Sequence, residues 1–269
     1  MEAFIPEVDI VRLSEAFGIM SPTVVSVVGA GGKSSLLMSL SDQWDTERIP
    51  YVLTTTTRMA YAQVEHLAPV FQEEFQPGLL QVLSDLRRFG RAGWFLGFSE
   101  EKVKGLPPEW VDRLCDYRCS WHLLIEADGA GGRLLKAPAA HEPAVPSRSD
   151  LTVGVLHLGA IGSPIDTTVV HRPGLVRPII GKENGEPIEP EDLARLALHP
   201  KGIFRGAAGK RTLVLNSGDA GGDKADLHRR WVEAIVHQIW KEGDGRTERV
   251  IWTKGYGREL RALRVYQPR

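Results

Sequence analysis

The run Gly29-Ala30-Gly31-Gly32-Lys33-Ser34-Ser35 lies between an apolar strand-like stretch, Val24 to Val28, and a helix-like one opening Leu36-Leu37-Met38. Glycine reaches left-handed conformations and puts no Cβ in front of its N–H, so such a run can turn backbone N–H groups onto an anion. The amino end of the following helix adds positive potential there. Lys33 contributes a point charge, and Ser34 a hydroxyl of the kind that ligates Mg²⁺ in phosphate-binding loops. The chemistry implied is capture of a nucleotide phosphate by Gly29, Ala30, Gly31, Gly32, Lys33, Ser34 and Ser35. The general pattern places a glycine five residues before the Gly-Lys pair. Val27 stands there, so the loop has the shorter form G-x-x-G-K-S-S.

Such a cradle needs partners, and in parallel α/β sheets these lie beyond the carboxyl ends of the strands. Tyr51-Val52-Leu53 runs into Thr54-Thr55-Thr56-Thr57-Arg58. The hydroxyls can face a γ-phosphate or its metal, with Thr55 and Thr56 on the nucleotide and Arg58 behind them on a second substrate; threonine is also simply a good strand residue. Leu123-Leu124-Ile125-Glu126-Ala127-Asp128-Gly129 ends a buried apolar run on two carboxylates, resembling the acidic end of a Walker B strand. Alternation along the strand lets Glu126 and Asp128 point the same way. An unpaired buried carboxylate is costly, and Mg²⁺, which uses few carboxylates and keeps its waters, is the expected partner of Ser34, Glu126 and Asp128.

Lys136, His141 and Glu142 come next. They suit contact with a second substrate or acid–base work, His141 joining Lys33, Glu126 and Asp128 as the catalytic set. On spacing alone, isolated loop lysines and histidines are usually just solvated, and His157, His171-Arg172 and His199 read as core or surface. Asn216 and Asp219, three apart at a strand end, suggest base recognition. Guanine-specific GTPases place Asn-Lys-x-Asp there, but Ser217 stands where lysine would stack, and an Asx-type turn explains the pair equally well. ATP and GTP both remain open.

The elements that must hold these residues alternate between strand and helix. Helical spacing covers Val8 to Phe17, and strands are expected at Val24–Val28, Tyr51–Leu53, Trp94–Leu96, Trp121–Ile125, Leu151–Leu158, Thr212–Leu215 and Val250–Trp252. Helices are expected after the glycine loop, at Leu79–Phe89, from Pro107-Pro108 to Arg118, at Pro190–Leu198, and along Leu227, Trp231, Ile235 and Ile239. This is an α/β pattern: a mainly parallel, P-loop NTPase-like sheet with helices on both faces. The 269 residues read as one domain, 1–269, with irregular insertions around 129–150 and 159–190. A net charge of −1 gives no support for a nucleic-acid or anionic-membrane partner, and no apolar run approaches a membrane span. Met1-Glu2-Ala3-Phe4 lacks the charged start of an export signal, so a cytoplasmic location is expected. Cys115 and Cys119 would need more ligands than nearby His122 to hold a metal; Cys115 reads as a small buried residue.

Together the Gly29–Lys33 loop, the Thr54–Thr57 run, Glu126-Ala127-Asp128-Gly129, Lys136-Ala137-Pro138, His141-Glu142-Pro143-Ala144-Val145-Pro146 and the Asn216/Asp219 pair resemble the YqeC family, over about Val8 to Trp252. That family is described as accessory factors of selenium-dependent molybdenum hydroxylases and assigned to selenium cofactor biosynthesis. The resemblance implies a cytoplasmic maturation factor acting with a nucleotide on the cofactor or its selenium, with a molybdenum hydroxylase as a possible partner. Ser34-Ser35 departs from the family's usual Thr-Thr, a change that keeps a hydroxyl for Mg²⁺, and Ser217-Gly218 falls in more variable territory, which leaves the base open. The short loop also looks like that of the Mur ligases, by analogy at the loop only. The expected function is Mg²⁺-dependent ATP or GTP binding with γ-phosphoryl transfer or hydrolysis in that maturation. The rivals are a non-catalytic nucleotide-switch chaperone and an ATP-dependent ligase or kinase acting on an unrelated small molecule.

Overall fold

Strands β1 (Val24–Gly29), β5 (His122–Glu126) and β6 (Leu151–His157) are each buried along their whole length. Such runs belong to parallel sheets covered on both faces. The computed structural model describes residues 12–118, 120–220 and 223–268, so Cys119 and residues 8–11 of the expected first helix lie outside the described residues. The remaining strands of this nine-stranded sheet are β2 (Tyr51–Thr55), β3 (Val70–Phe71), β4 (Arg91–Phe95), β7 (Lys210–Asn216), β8 (Thr247–Lys254) and β9 (Arg261–Tyr266). Their order is β9-β8-β7-β6-β1-β5-β2-β4-β3. All neighbours are parallel except β8 and β9.

Alternation divides the core into two layers. Val25, Val27, Leu124, Val153, Val155, Val214 and Ile251 pack with α1 (Leu13–Phe17) and α2 (Lys33–Glu47), which buries Leu36, Leu37, Leu40 and Trp44. On the other face, Val24, Val28, Leu123 and Ile125 meet α3 (Phe75–Phe89) and α4 (Pro108–Leu114). Leu156, Leu213, Leu215 and Val250 meet α5 (Pro173–Ile180), α6 (Pro190–Leu198) and α7 (Asp223–Glu242). Local signals fix the helix ends. Gly90, left-handed at φ 74, closes α3 and donates to Leu86 O. Glu189 and Asp192 form a capping box ahead of Pro190. Cys115 is buried, as expected.

The alternating elements and mostly parallel sheet agree with the sequence expectation, and the differences have local causes. β9 has only Ala262 buried among Arg261, Leu263 and Arg264, so its edge position leaves little apolar signal. α5 lies inside a stretch expected to be irregular, because Pro173, Gly174 and Pro178 mask its helical pattern. α4 ends at Leu114 and tightens into a 3₁₀ turn, Cys115–Tyr117, short of Arg118. The threonine run leads into a small antiparallel sheet of Arg58–Ala60, Lys102–Lys104 and Gly97–Ser99 at the rim. No helix among the described residues is long and apolar enough to cross a membrane.

Candidate functional site

The turn from β1 into α2 is made by three glycines with left-handed φ: Gly29 at 92°, Gly31 at 77° and Gly32 at 152°. None has room for a side chain. A Cβ would lie 2.3 Å from Val155 O at Gly29, 2.4 Å from His157 Cβ at Gly31 and 2.8 Å from Asn216 Nδ2 at Gly32. Buried Ala30 donates its N–H to Val155 O at 2.9 Å, pinning the loop to β6. Lys33 is the first residue of α2, only 6% exposed, and its Nζ donates to Gly29 O at 2.9 Å. Ser34 and Ser35 follow at the helix's amino end, and Ser34 Oγ donates to Glu126 Oε2 at 3.2 Å.

The two carboxylates beyond β5 have different surroundings. Glu126 is buried with Ser34 as its side-chain donor; burial pushes its carboxyl up, while Lys33 and Ser34 oppose the rise. Asp128 is committed on both oxygens. Oδ2 accepts from Gly29 N at 3.2 Å, and Oδ1 accepts from Lys136 Nζ. Lys136 is fully buried on the short strand Leu135–Lys136, and its ammonium also donates to Gly129 O at 2.6 Å and Glu142 Oε2 at 3.0 Å. Arg172 Nη1 reaches the same Glu142 oxygen at 2.7 Å. Burial would push Glu142 up, but the hydrogen bonds from Lys136 and Arg172 outweigh it and hold the carboxyl at about 2. Lys136 and Asp128 thus lock the loop to the 136–146 segment, and of these ionised groups Glu142 and Arg172 face the cleft.

The threonines serve mainly to tie strands. Thr55 Oγ1 donates to Glu126 O at 2.6 Å and Thr56 Oγ1 to Ala144 O at 2.7 Å, leaving Thr57 on the cleft wall. Arg58 is exposed at the mouth, 4.0 Å from Glu100. His141, with 78% of its side chain exposed, is not part of the cleft's lining. Asn216 is buried and turned to the loop: Nδ2 donates to Gly31 O at 3.1 Å, and Oδ1 accepts from Gly218 N at 3.2 Å and Thr253 Oγ1 at 3.3 Å. Asp219 is exposed beyond it.

His157 and His171-Arg172, which spacing reads as core or surface, also line the cleft. His157 ends β6 against Gly31, and burial lowers it to about 4. Its Nδ1 accepts from Gly159 N at 2.9 Å, which puts the ring proton on Nε2, 2.8 Å from Tyr256 Oη. Arg172 pairs with Glu142, and His171 lies near Gly131. The sequence signal for Tyr256 is an aromatic between Gly255 and Gly257 just past a strand.

The resulting cleft has a volume of about 690 Å³ and is lined by Gly31, Gly32, Lys33, Ser34, Glu126 and Tyr256 among others. A second cleft of about 630 Å³ lies by the start of β7, where Lys210 and Glu248 neutralise each other at 2.9 Å; its glycines, Gly209 and Gly245, lead into strands and not into a helix start. Among the described residues no group of three or more His, Cys, Asp or Glu is arranged to hold a metal. Ser34 and Glu126 could therefore supply only part of a cation's shell, a share that suits Mg²⁺ completed by phosphate oxygens and water.

Residues 25–174, which carry the loop, both carboxylates, Lys136 and Arg172, match the family model described as YqeC protein. The chain belongs to the YqeC family. It is also 35% identical over 184 residues to Uncharacterized protein YqeC of Escherichia coli (strain K12), covering 68% of this chain and 71% of that one. No solved structure matches the chain. Asn216, Asp219 and Tyr256 lie beyond the matched YqeC segment.

Proposed function

We propose that this YqeC-family protein has a P-loop-type fold, binds ATP or GTP with Mg²⁺ at the Gly29–Ser35 turn, and transfers or hydrolyses the γ-phosphoryl group. One observation carries the reading: three left-handed glycines too crowded for any side chain, closed by a buried lysine and by a helix start whose serine faces a buried carboxylate. Backbone N–H groups and Lys33 would hold the phosphates, and Ser34 and Glu126 would share the cation. Asp128, with both oxygens committed, would position the loop instead of ligating metal. Bound Mg²⁺ supplies charge neutralisation, and the protein's contribution is mostly positioning. Thr57, Arg58 and Arg172 would face the second substrate, with Lys136 holding Glu142 in place. The role in selenium-dependent molybdenum hydroxylase maturation rests on the family resemblance and comes with a cytoplasmic location.

Release of phosphate from Mg-ATP or Mg-GTP tests the catalytic part. Wild type is expected to turn over one of them, and Lys33→Ala to lose that activity by at least about tenfold, the worth of one charge-assisted hydrogen bond. Binding without any release or transfer would contradict the enzyme and favour a nucleotide switch.

A further inference from the structure

The cleft has a direction. Ser34 faces Glu126, and Glu126 ends β5, so in the reading above the cation and terminal phosphate lie on the β5–β2 side of the loop. The rest of the nucleotide must then run the other way, across the ends of β6, β7 and β8. The group awaiting it there is Tyr256. Its ring lines the cleft beside Gly31 and Gly32, is 45% exposed, and is held from behind. The phenol oxygen meets His157 Nε2 at 2.8 Å, and the ring lies within 11° of parallel to the His157 ring, with centroids 5.9 Å apart. On another side it presses on Gly218, where a Cβ would come 2.3 Å from Oη. A planar, half-exposed aromatic fixed at the end of a phosphate cleft is a stacking surface. Asn216, the residue whose position suggested edge recognition of a base, has both its amide groups committed to Gly31, Gly218 and Thr253.

We propose that Tyr256 is the platform on which the nucleobase stacks, so that this chain holds its base by the ring face rather than through Asn216. The proposal rests on the phosphate-site reading and adds to it a base-binding residue. Stacking tolerates any base, because each has a π-face, so ATP and GTP should depend on Tyr256 alike.

Calorimetric titration with Mg-ATP, Mg-GTP and Mg-tripolyphosphate tests this, on wild type, Tyr256→Phe and Tyr256→Ala. Tyr256→Ala is expected to weaken both nucleotides about tenfold, within the range of one stacked base, and to leave tripolyphosphate unchanged. Tyr256→Phe, which keeps the ring and loses only the His157 contact, should retain most nucleotide affinity. Equal weakening of tripolyphosphate by Tyr256→Ala would overturn the platform and make Tyr256 a support of the loop. Unchanged nucleotide affinity in Tyr256→Ala would overturn it while sparing the phosphate site. Failure of all three ligands to bind wild type would remove the phosphate site and the platform with it.

Discussion

The two flanks of the glycine loop are built on opposite principles. In the segment that follows β5, Asp128, Lys136, Glu142 and Arg172 form a chain of buried and half-buried charges that begins at Gly29 N and reaches the start of α5. On the β6–β8 flank the loop is held by neutral groups: Asn216 on Gly31 O, His157 behind Gly31, and Tyr256 on His157. The charged flank is the stiffer one to disturb, because removing one member leaves its partners ionised out of water. The neutral flank loses ordinary hydrogen bonds and leaves a ring face free for a ligand. The family-model match covers the whole charged flank and, of the neutral one, includes His157 but stops before Asn216 and Tyr256.

Lys136→Met is expected to have the largest effect, a loss of about 3–5 kcal/mol, since it strands Asp128 in the interior. Asn216→Ala on the other flank should cost about 1–2 kcal/mol. Chemical denaturation of the two variants checks the ranking, and equal losses would erase the distinction between the flanks.

Acid should separate the flanks as well. His157 is held at about 4, below its usual 6.5, so its contribution is complete above pH 6.5 and fades as pH falls towards 4. Glu142 is held at about 2, so its contribution is complete above its usual 4.5 and fades only below that. Stability measured from pH 7 to 4 should therefore fall less in His157→Gln than in wild type, by about 1–3 kcal/mol across the window. His122, also lowered to about 4 by burial, accounts for a slope that both proteins share. Identical slopes would show that His157 is not titrating in the fold.

The cation's side gives the smallest effect. Glu126→Gln should remove most of the Mg²⁺ enhancement of nucleotide affinity, about tenfold, while affinity measured in a chelator stays near wild type. Retained Mg²⁺ dependence would return the metal role to Asp128.

Much of this was legible in the sequence because it is local. The strand–glycine–lysine–serine order, the acidic end of β5 and the parallel pattern each depend on neighbours a few residues apart. What stays hidden depends on contacts between separate elements. Nothing near Asp128 announces that Lys136 will neutralise it, nor that Thr55 and Thr56 give their hydroxyls to Glu126 O and Ala144 O. Tyr256 meets His157 across 99 positions, a distance no spacing rule spans. β9 escapes the pattern because an edge strand carrying Arg261 and Arg264 shows little apolar signal.

Whether the Gly29–Ser35 turn holds a nucleoside triphosphate is decided by equilibrium titration of Mg-ATP and Mg-GTP into wild type and Lys33→Ala. One-to-one binding to wild type is expected, weakened about tenfold to a hundredfold in Lys33→Ala. Absence of binding by either nucleotide to wild type, or the same affinity in both proteins, would contradict a triphosphate site at this turn.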